Sequence, residues 1–319
     1  MQSKLYILLW FLLPVWISCD QHDLTPPDTM HEVRSTDTGV DSTIDRSRID
    51  AIINRLYSPD SNYVQVAVHR GDWHNYPENT LAALQNCIDM GVEIIEIDVR
   101  RTADGELAII HDTDLDRTTN GSGKVADFTM AEIRKLRTKT NDGELTDYPV
   151  PSLADVMLAA KGKAIIMIDK GNDHFPKIKE VLLETKTMDH ALFVEPYSYP
   201  TAKEEMGPVL LEHAHHVPRV TEDLEDPKVF KRTFTERMSV AAFEYRLKQK
   251  DSPVLTVIDQ QQSVWITTIN PDMCSGHDDA LSLENPDAGW GWCVEQGATI
   301  LLTDYPKEMI QYLQTNRLR

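Results

Sequence analysis

Four short stretches set an imidazole or a carboxylate beside a cation or a second acid: His69-Arg70, Glu96-Ile97-Asp98, His111-Asp112 and Asp169-Lys170. These residue types suit proton transfer, and cations that converge locally could hold a small anionic substrate. Imidazoles titrate near neutrality, so they give and take protons at physiological pH. A guanidinium offers planar donors to phosphate oxygens. In "VEIIEIDV", Glu96 and Asp98 alternate with Ile95, Ile97 and Val99. A strand's period of two then sets both carboxylates on one face, about 7 Å apart. Two acids on an ordinary strand more often form a solvated polar stripe. Here the intervening Ile and Val argue that the opposite face is buried. Carboxylates crowded on a protected rim repel unless a cation joins them, and a hard divalent ion is the natural partner of oxygen ligands. Further on, Asp104-Gly105 signals a two-residue hairpin turn between strand-like runs. Closed that way, the hairpin sets Asp98 opposite His111, and directly opposed residues share a face.

Such residues need elements to position them. Strand-like runs are expected at 64–69, 93–99, 107–111, 164–169, 191–195, 216–220, 240–245, 264–269 and 298–303, with helix-like runs between them. Repeated β-then-α units indicate a parallel sheet with right-handed crossovers. At 319 residues the closed (β/α)8 TIM barrel, as a single catalytic domain, is the favoured form. Nine runs are one more than the barrel takes, so one is an accessory strand or no strand at all. The run "TLAALQNCIDMG" reads as a helix with Leu81, Leu84 and Ile88 on one face, capped by Asn79 or Thr80 and ended by Gly91. In a parallel barrel the C-terminal strand ends share one face, where such folds place their active sites. All four stretches fall at strand ends of that kind.

The N-terminus reads differently. Lys4 followed by the apolar run Leu5 to Ile17 is a targeting signal over residues 1–18, too short for an ordinary bilayer span. Ser18-Cys19 resembles a bacterial lipobox with Trp16 where Leu is usual; ordinary secretion and an uncleaved anchor are the other readings. Residues 19–46 are polar, with paired prolines, and read as a flexible tether, leaving 47–319 as the catalytic domain. Apolar residues at 49, 52, 53 and 56 mark an amphipathic helix over 46–57. The expected location is the cell envelope, periplasmic or surface, with a membrane tether through Cys19. The net charge of −19 excludes a uniform nucleic-acid-binding surface, and no obligate protein partner is expected. Cysteines at 19, 87, 274 and 293 make no disulfide framework and no metal-binding spacing; Cys274–Cys293 is the one pair to consider as a disulfide.

"HRGDWHNYPENT", "EIDVRRTADGELAIIHD" and "DRTTNG", in that order, resemble the signature of glycerophosphodiester phosphodiesterases. The resemblance runs from about residue 64 to the C-terminus, where "GATILLTDYPKEMIQYL" is similar to that family's last strand and helix. It implies a TIM barrel, one divalent cation (Ca²⁺ or Mg²⁺) held by Glu96 and Asp98, and His69 and His111 as the acid–base pair. The family's third ligand is usually a Glu at the end of the fourth strand with a Lys two positions on; here Asp169 stands there with Lys170 adjacent. The implied reaction cuts glycerophosphodiesters into glycerol 3-phosphate and an alcohol. The substrate's own glycerol hydroxyl attacks first, and water then opens a cyclic phosphate. Arg70 and Lys170 would bind the phosphodiester, and Glu78 would order the pocket by hydrogen bonds.

Two other functions compete. One keeps the barrel as a phospholipase D-like or cyclising enzyme on lysolipids, and the other is a non-catalytic surface binding protein. Several further signals are weaker. "DTDLDRTTNGSG" starts like a calcium loop, but Arg117 and Gly123 stand where Gly and Glu belong. "HAHH", residues 213–216, lacks acidic or Cys partners and reads as a partly exposed entry to a strand. "GWGW", 289–292, lines a pocket or packs a rim. Trp265, on an expected strand near the barrel mouth, contacts a head group or packs the core.

Overall fold

The computed structural model describes residues 45–195 and 198–319. The expected leader, Cys19 and all of the tether but its last two residues lie outside that range.

All nine expected runs form strands: β1 (Gln65–Val68), β2 (Ile94–Arg101), β3 (Leu107–Ile109), β4 (Ile165–Asp169), β5 (Ala191–Glu195), β6 (His215–Val220), β7 (Phe243–Tyr245), β8 (Val264–Thr267) and β9 (Ile300–Thr303). Eight of them close a parallel barrel in the order β1-β9-β8-β7-β6-β5-β4-β2, with β2 pairing back onto β1. The extra strand is β3, which lies outside the barrel: it pairs antiparallel with β2 and makes one further bridge, Ala108 to Ser152.

Alternation sorts the strand residues. Ala67, Ile94, Ile165, Met167, Leu192, Val217, Trp265, Ile300 and Leu302 belong to one apolar cluster, which they share with Ile49, Ile52, Ile53 and Leu56 of the helix Ser47–Tyr57. That helix lies at the strand starts: Gln65 donates to the Ile52 carbonyl and Ser263 to the Leu56 carbonyl. It therefore closes the N-terminal end of the barrel, opposite the acidic strand ends. The other strand face packs against the surrounding helices in a second, larger cluster. A third cluster, from Ala108 and Ile110 to Val150, is the core of the insertion that follows β3.

The helix Leu81–Met90 starts at Thr80, whose hydroxyl accepts from the Ala83 N–H, and ends at Gly91 with φ +89°. Its buried face is Ala83, Leu84, Cys87 and Ile88, whereas Leu81 points outward and is 38 % exposed.

The β2–β3 register is one residue from the expected one. Val99 pairs with Ile109, and the Ile110 N–H donates to the Asp98 carbonyl at 3.0 Å. The turn has three residues rather than two, because Asp104 accepts from the Thr102 hydroxyl and the Met130 N–H while Gly105 takes φ +83°. A left-handed Gly in the third loop position is the usual way to close such a turn. His111 therefore lies beyond the end of β3 rather than opposite Asp98.

Candidate active site

Glu96, Asp98 and Asp169 each bring a carboxylate oxygen to within 4.8 Å of the others. The parallel register sets Asp98 directly beside Asp169. Glu96 and Asp98 are buried, while the Asp169 side chain is 53 % exposed. Burial, and then repulsion from Asp98 and Asp169, push the Glu96 carboxyl well above its ordinary range. Burial works the same way on Asp98, but Lys170, Asn79 and Arg70 outweigh it and hold that carboxyl below its ordinary value. Three oxygen donors around one point, one of them destabilised as an anion, fit a hard divalent cation such as Ca²⁺ or Mg²⁺.

The backbone after β1 folds over this cluster. Arg70 has φ +56°, and its N–H donates to Glu96 Oε2 at 2.8 Å. Gly71 follows with φ +75°, where a Cβ would meet the Ala83 Cβ at 2.9 Å, so only glycine lets the turn lie on the helix. The Arg70 guanidinium reaches Glu78 at 3.2 Å and Asp98 at 3.4 Å. Lys170, also left-handed, sets Nζ 2.5 Å from Asp98 and 3.5 Å from Asp169. Asn79 is held at φ +58° and bonds Asp98 twice, through its amide to the carboxylate and from the Asp98 N–H to its carbonyl.

Each histidine has a carboxylate behind it. His69 Nδ1 lies 2.9 Å from Asp304 Oδ1, which also accepts from Trp73 Nε1. The Asp304 N–H donates to Asp279, whose carboxylate further accepts from Thr268, Thr303 and Trp290. His111 Nδ1 lies 2.6 Å from Asp112 Oδ1. Arg117 binds Asp112 and both oxygens of Glu78, and its hydrogen bonds hold the Asp112 carboxyl far below its usual range. Glu78 thus joins Arg70 to the support of His111 through Arg117.

The structure brings His69, Arg70, Glu78, Glu96, Asp98, Asp169 and Lys170 together at the C-terminal rim and ties His111 to them through that chain of charges. Trp265 is a correction. It is fully buried in the interior cluster shared with the N-terminal helix, and its Nε1 donates to Thr267, so a head group has no access to it. His215 and His216 are also buried, not partly exposed: they lie on β6, His215 against the Tyr57 hydroxyl and His216 against Glu195. Trp290 packs against Asp279, and Cys87, Cys274 and Cys293 are free buried thiols, so the candidate disulfide does not form.

Sequence reasoning missed Asp304, Asp279 and Asn79. It also missed Glu244, a fully buried carboxylate at the β7 end gripped by Arg219 at 2.5 Å and Arg246 at 2.8 Å. The signal for Asp304 was present, since it follows an expected strand, as Lys170 does. The pairing of Arg219 with Glu244 had none, because it arises only where β6 and β7 lie side by side.

The model of the Glycerophosphoryl diester phosphodiesterase family matches residues 69–284. A glycerophosphodiester phosphodiesterase of Caldanaerobacter subterraneus is 42 % identical over 123 residues, 37 % of this chain and 51 % of that protein. Human glycerophosphodiester phosphodiesterase 1 is 33 % identical over 122 residues, 37 % of each chain. The chain thus spans about half or less of the length of these relatives. A glycerophosphoryl diester phosphodiesterase from Parabacteroides distasonis shares the fold with a TM-score of 0.68 at 22 % identity, over 86 % of this chain and 94 % of that one. A phosphodiesterase of Oleispira antarctica, solved in complex with the product sn-glycerol-3-phosphate, gives 0.55 at 23 % identity, over 80 % and 98 %.

Proposed function

The chain belongs to the glycerophosphoryl diester phosphodiesterase family, and from that premise we propose that it is a divalent-metal-dependent enzyme that hydrolyses glycerophosphodiesters to glycerol 3-phosphate and an alcohol. The observation that carries this reading is the meeting of Glu96, Asp98 and Asp169 within 4.8 Å, with Arg70 and Lys170 reaching Asp98 from either side. The relatives' names and the product bound to the Oleispira protein support the substrate class.

Glu96, Asp98 and Asp169 would hold Ca²⁺ or Mg²⁺, which when bound neutralises charge on the phosphodiester. The rest falls to the chain's own groups. Arg70 and Lys170 donate to the non-bridging oxygens; both already lie against carboxylates, so they are aimed before substrate arrives. Asp304 fixes the Nδ1 proton of His69 and leaves Nε2 to take the proton of the attacking glycerol hydroxyl. Asp112 does the same for His111, whose Nε2 gives a proton to the departing alcohol oxygen. In the second stage the two exchange roles as water opens the cyclic phosphate.

The test is release of glycerol 3-phosphate from glycerophosphoethanolamine with Ca²⁺, Mg²⁺ or EDTA, beside His69→Ala. Metal-dependent release lost in the variant is expected. Absence of release with either metal overturns the reading. The leader-like sequence of residues 1–18 and Cys19 support placement in the cell envelope, which fractionation with and without Cys19→Ser would test.

A further inference from the structure

A cavity of about 150 Å³ lies beside the acidic cluster, lined by Asp169, Asn172, Phe175, Phe193, Glu195, Met206 and Arg219 among others. It opens where β4 and β5 part. Their ladder stops at Met167–Leu192, although β4 stays paired with β2 up to Asp169 and β5 stays paired with β6 up to Glu195. The strand tips therefore diverge, with a candidate metal ligand on one side of the gap and Glu195 on the other.

Glu195 is 3 % exposed. Its Oε1 meets His216 Nδ1, and His216 Nε2 faces the Leu210 carbonyl at 3.0 Å. Its Oε2 is buried and has no hydrogen-bond partner among the described residues. A buried acceptor left unmatched costs free energy, and it does so whether or not the rest of the side chain is satisfied. The Arg219 Nε that lines the same cavity is already committed to Glu244. The remaining lining is mixed: Asp169 and Asn172 are polar, while Phe175 and Phe193 lie edge to face at 5.7 Å between ring centres. A small cavity that sets apolar side chains beside polar ones, with one unmatched buried acceptor on a lining residue, suits a short substituent tipped by a hydrogen-bond donor.

We propose that this cavity is the subsite for the alcohol substituent of the phosphodiester, and that it selects a short substituent ending in an O–H or N–H donor for Glu195 Oε2. This rests on the phosphodiesterase reading above. Glu195 acts on specificity only, and the cavity entrance at Asp169 lets the substituent enter while the phosphate stays at the acidic cluster.

The test uses three glycerophosphodiesters of nearly equal size on the full chain, in which the alcohol is ethanolamine, ethylene glycol or propan-1-ol. The first two end in donors and the third in a methyl group. The wild type should favour the first two by about tenfold or more in kcat/KM, the worth of one buried hydrogen bond. Glu195→Met should bring all three to similar values while sparing the propanol ester, whose turnover also reports that the variant has folded. Glu195→Gln keeps a carbonyl acceptor but no negative charge, so the glycol ester should hold up better than the ethanolamine ester. Equal turnover of the three esters by the wild type overturns the proposal, as do unchanged ratios in both variants. No turnover of any ester with any divalent ion would instead sink the phosphodiesterase reading itself.

Discussion

Asp304 Oδ1 lies 2.9 Å from His69 Nδ1, across 235 residues of sequence, and holds Trp73 Nε1 by the same oxygen. An ionised carboxylate only accepts, so the imidazole proton is fixed on Nδ1 and Nε2 is left as the working nitrogen. Asp304 is held in turn by the buried Asp279 through its N–H at 2.7 Å. The last strand and its following turn therefore set the tautomer of a residue at the end of the first.

Asp304→Asn should show this directly. The amide can present an N–H to Nδ1 and favour the wrong tautomer. The expected loss in kcat is about 10²–10⁴-fold with little change in KM, as for the orienting carboxylates of other acid–base systems. The pH–rate profile should change with it. A merely structural role for Asp304 would lower stability and leave the profile's shape alone.

The acidic cluster trades stability for binding. Glu96 is costly as a buried anion beside Asp98 and Asp169, while its one backbone partner, the Arg70 N–H, can be accepted equally by an amide oxygen. Glu96→Gln should therefore leave the metal-free protein as stable as wild type or more so in urea. The midpoint rise on adding Ca²⁺ or Mg²⁺ should disappear; it is worth about 2.7 kcal/mol at one hundred times Kd. A variant destabilised without metal and still shifted by it would contradict the assignment.

Much of this architecture was legible from local pattern. All nine strand runs were readable, because a buried parallel strand writes an apolar run whose end is marked by a polar pair, as in Ile168-Asp169-Lys170. Glu96 and Asp98 were readable because a period of two needs no knowledge of the rest of the chain. His111 was placed one register off, since the Asp104 side chain, not the Asp-Gly dipeptide alone, chooses the turn. Asn79 was read as a candidate helix cap; that position falls to Thr80, and Asn79 instead clasps Asp98 on the next strand. Asp304–His69 and Arg219–Glu244 were hidden for a shared reason. Each is a contact between neighbouring strands or strand ends of the closed barrel, and closure is a property of the whole sheet.

Trp265 offers a check on burial. Its side chain is fully enclosed within the cluster that includes the N-terminal helix. Trp265→Ala should cost about 3–5 kcal/mol in unfolding free energy, and the milder Trp265→Phe should leave KM for glycerophosphodiesters unchanged. A large KM effect from the Phe variant, with stability retained, would return Trp265 to the substrate site.

Asp279 should leave a signature in the pH dependence of stability. Burial raises its carboxyl from 3.8 to about 6 despite the hydrogen bonds from Thr268, Asp304, Trp290 and Thr303. The native state therefore keeps its proton over a range where the unfolded chain has lost it. Below the unfolded value both states are protonated and the group costs nothing. As pH rises from 3.8 to about 6 the unfolded state ionises first and stability falls, by about 3 kcal/mol once both states are ionised. Asp279→Asn removes this titration. The urea stability of wild type relative to the variant should thus decline between pH 4 and pH 7 by an amount of that order. A difference that stays flat, or grows, across the same range would mean that the four donors keep Asp279 ionised throughout and that burial does not govern it.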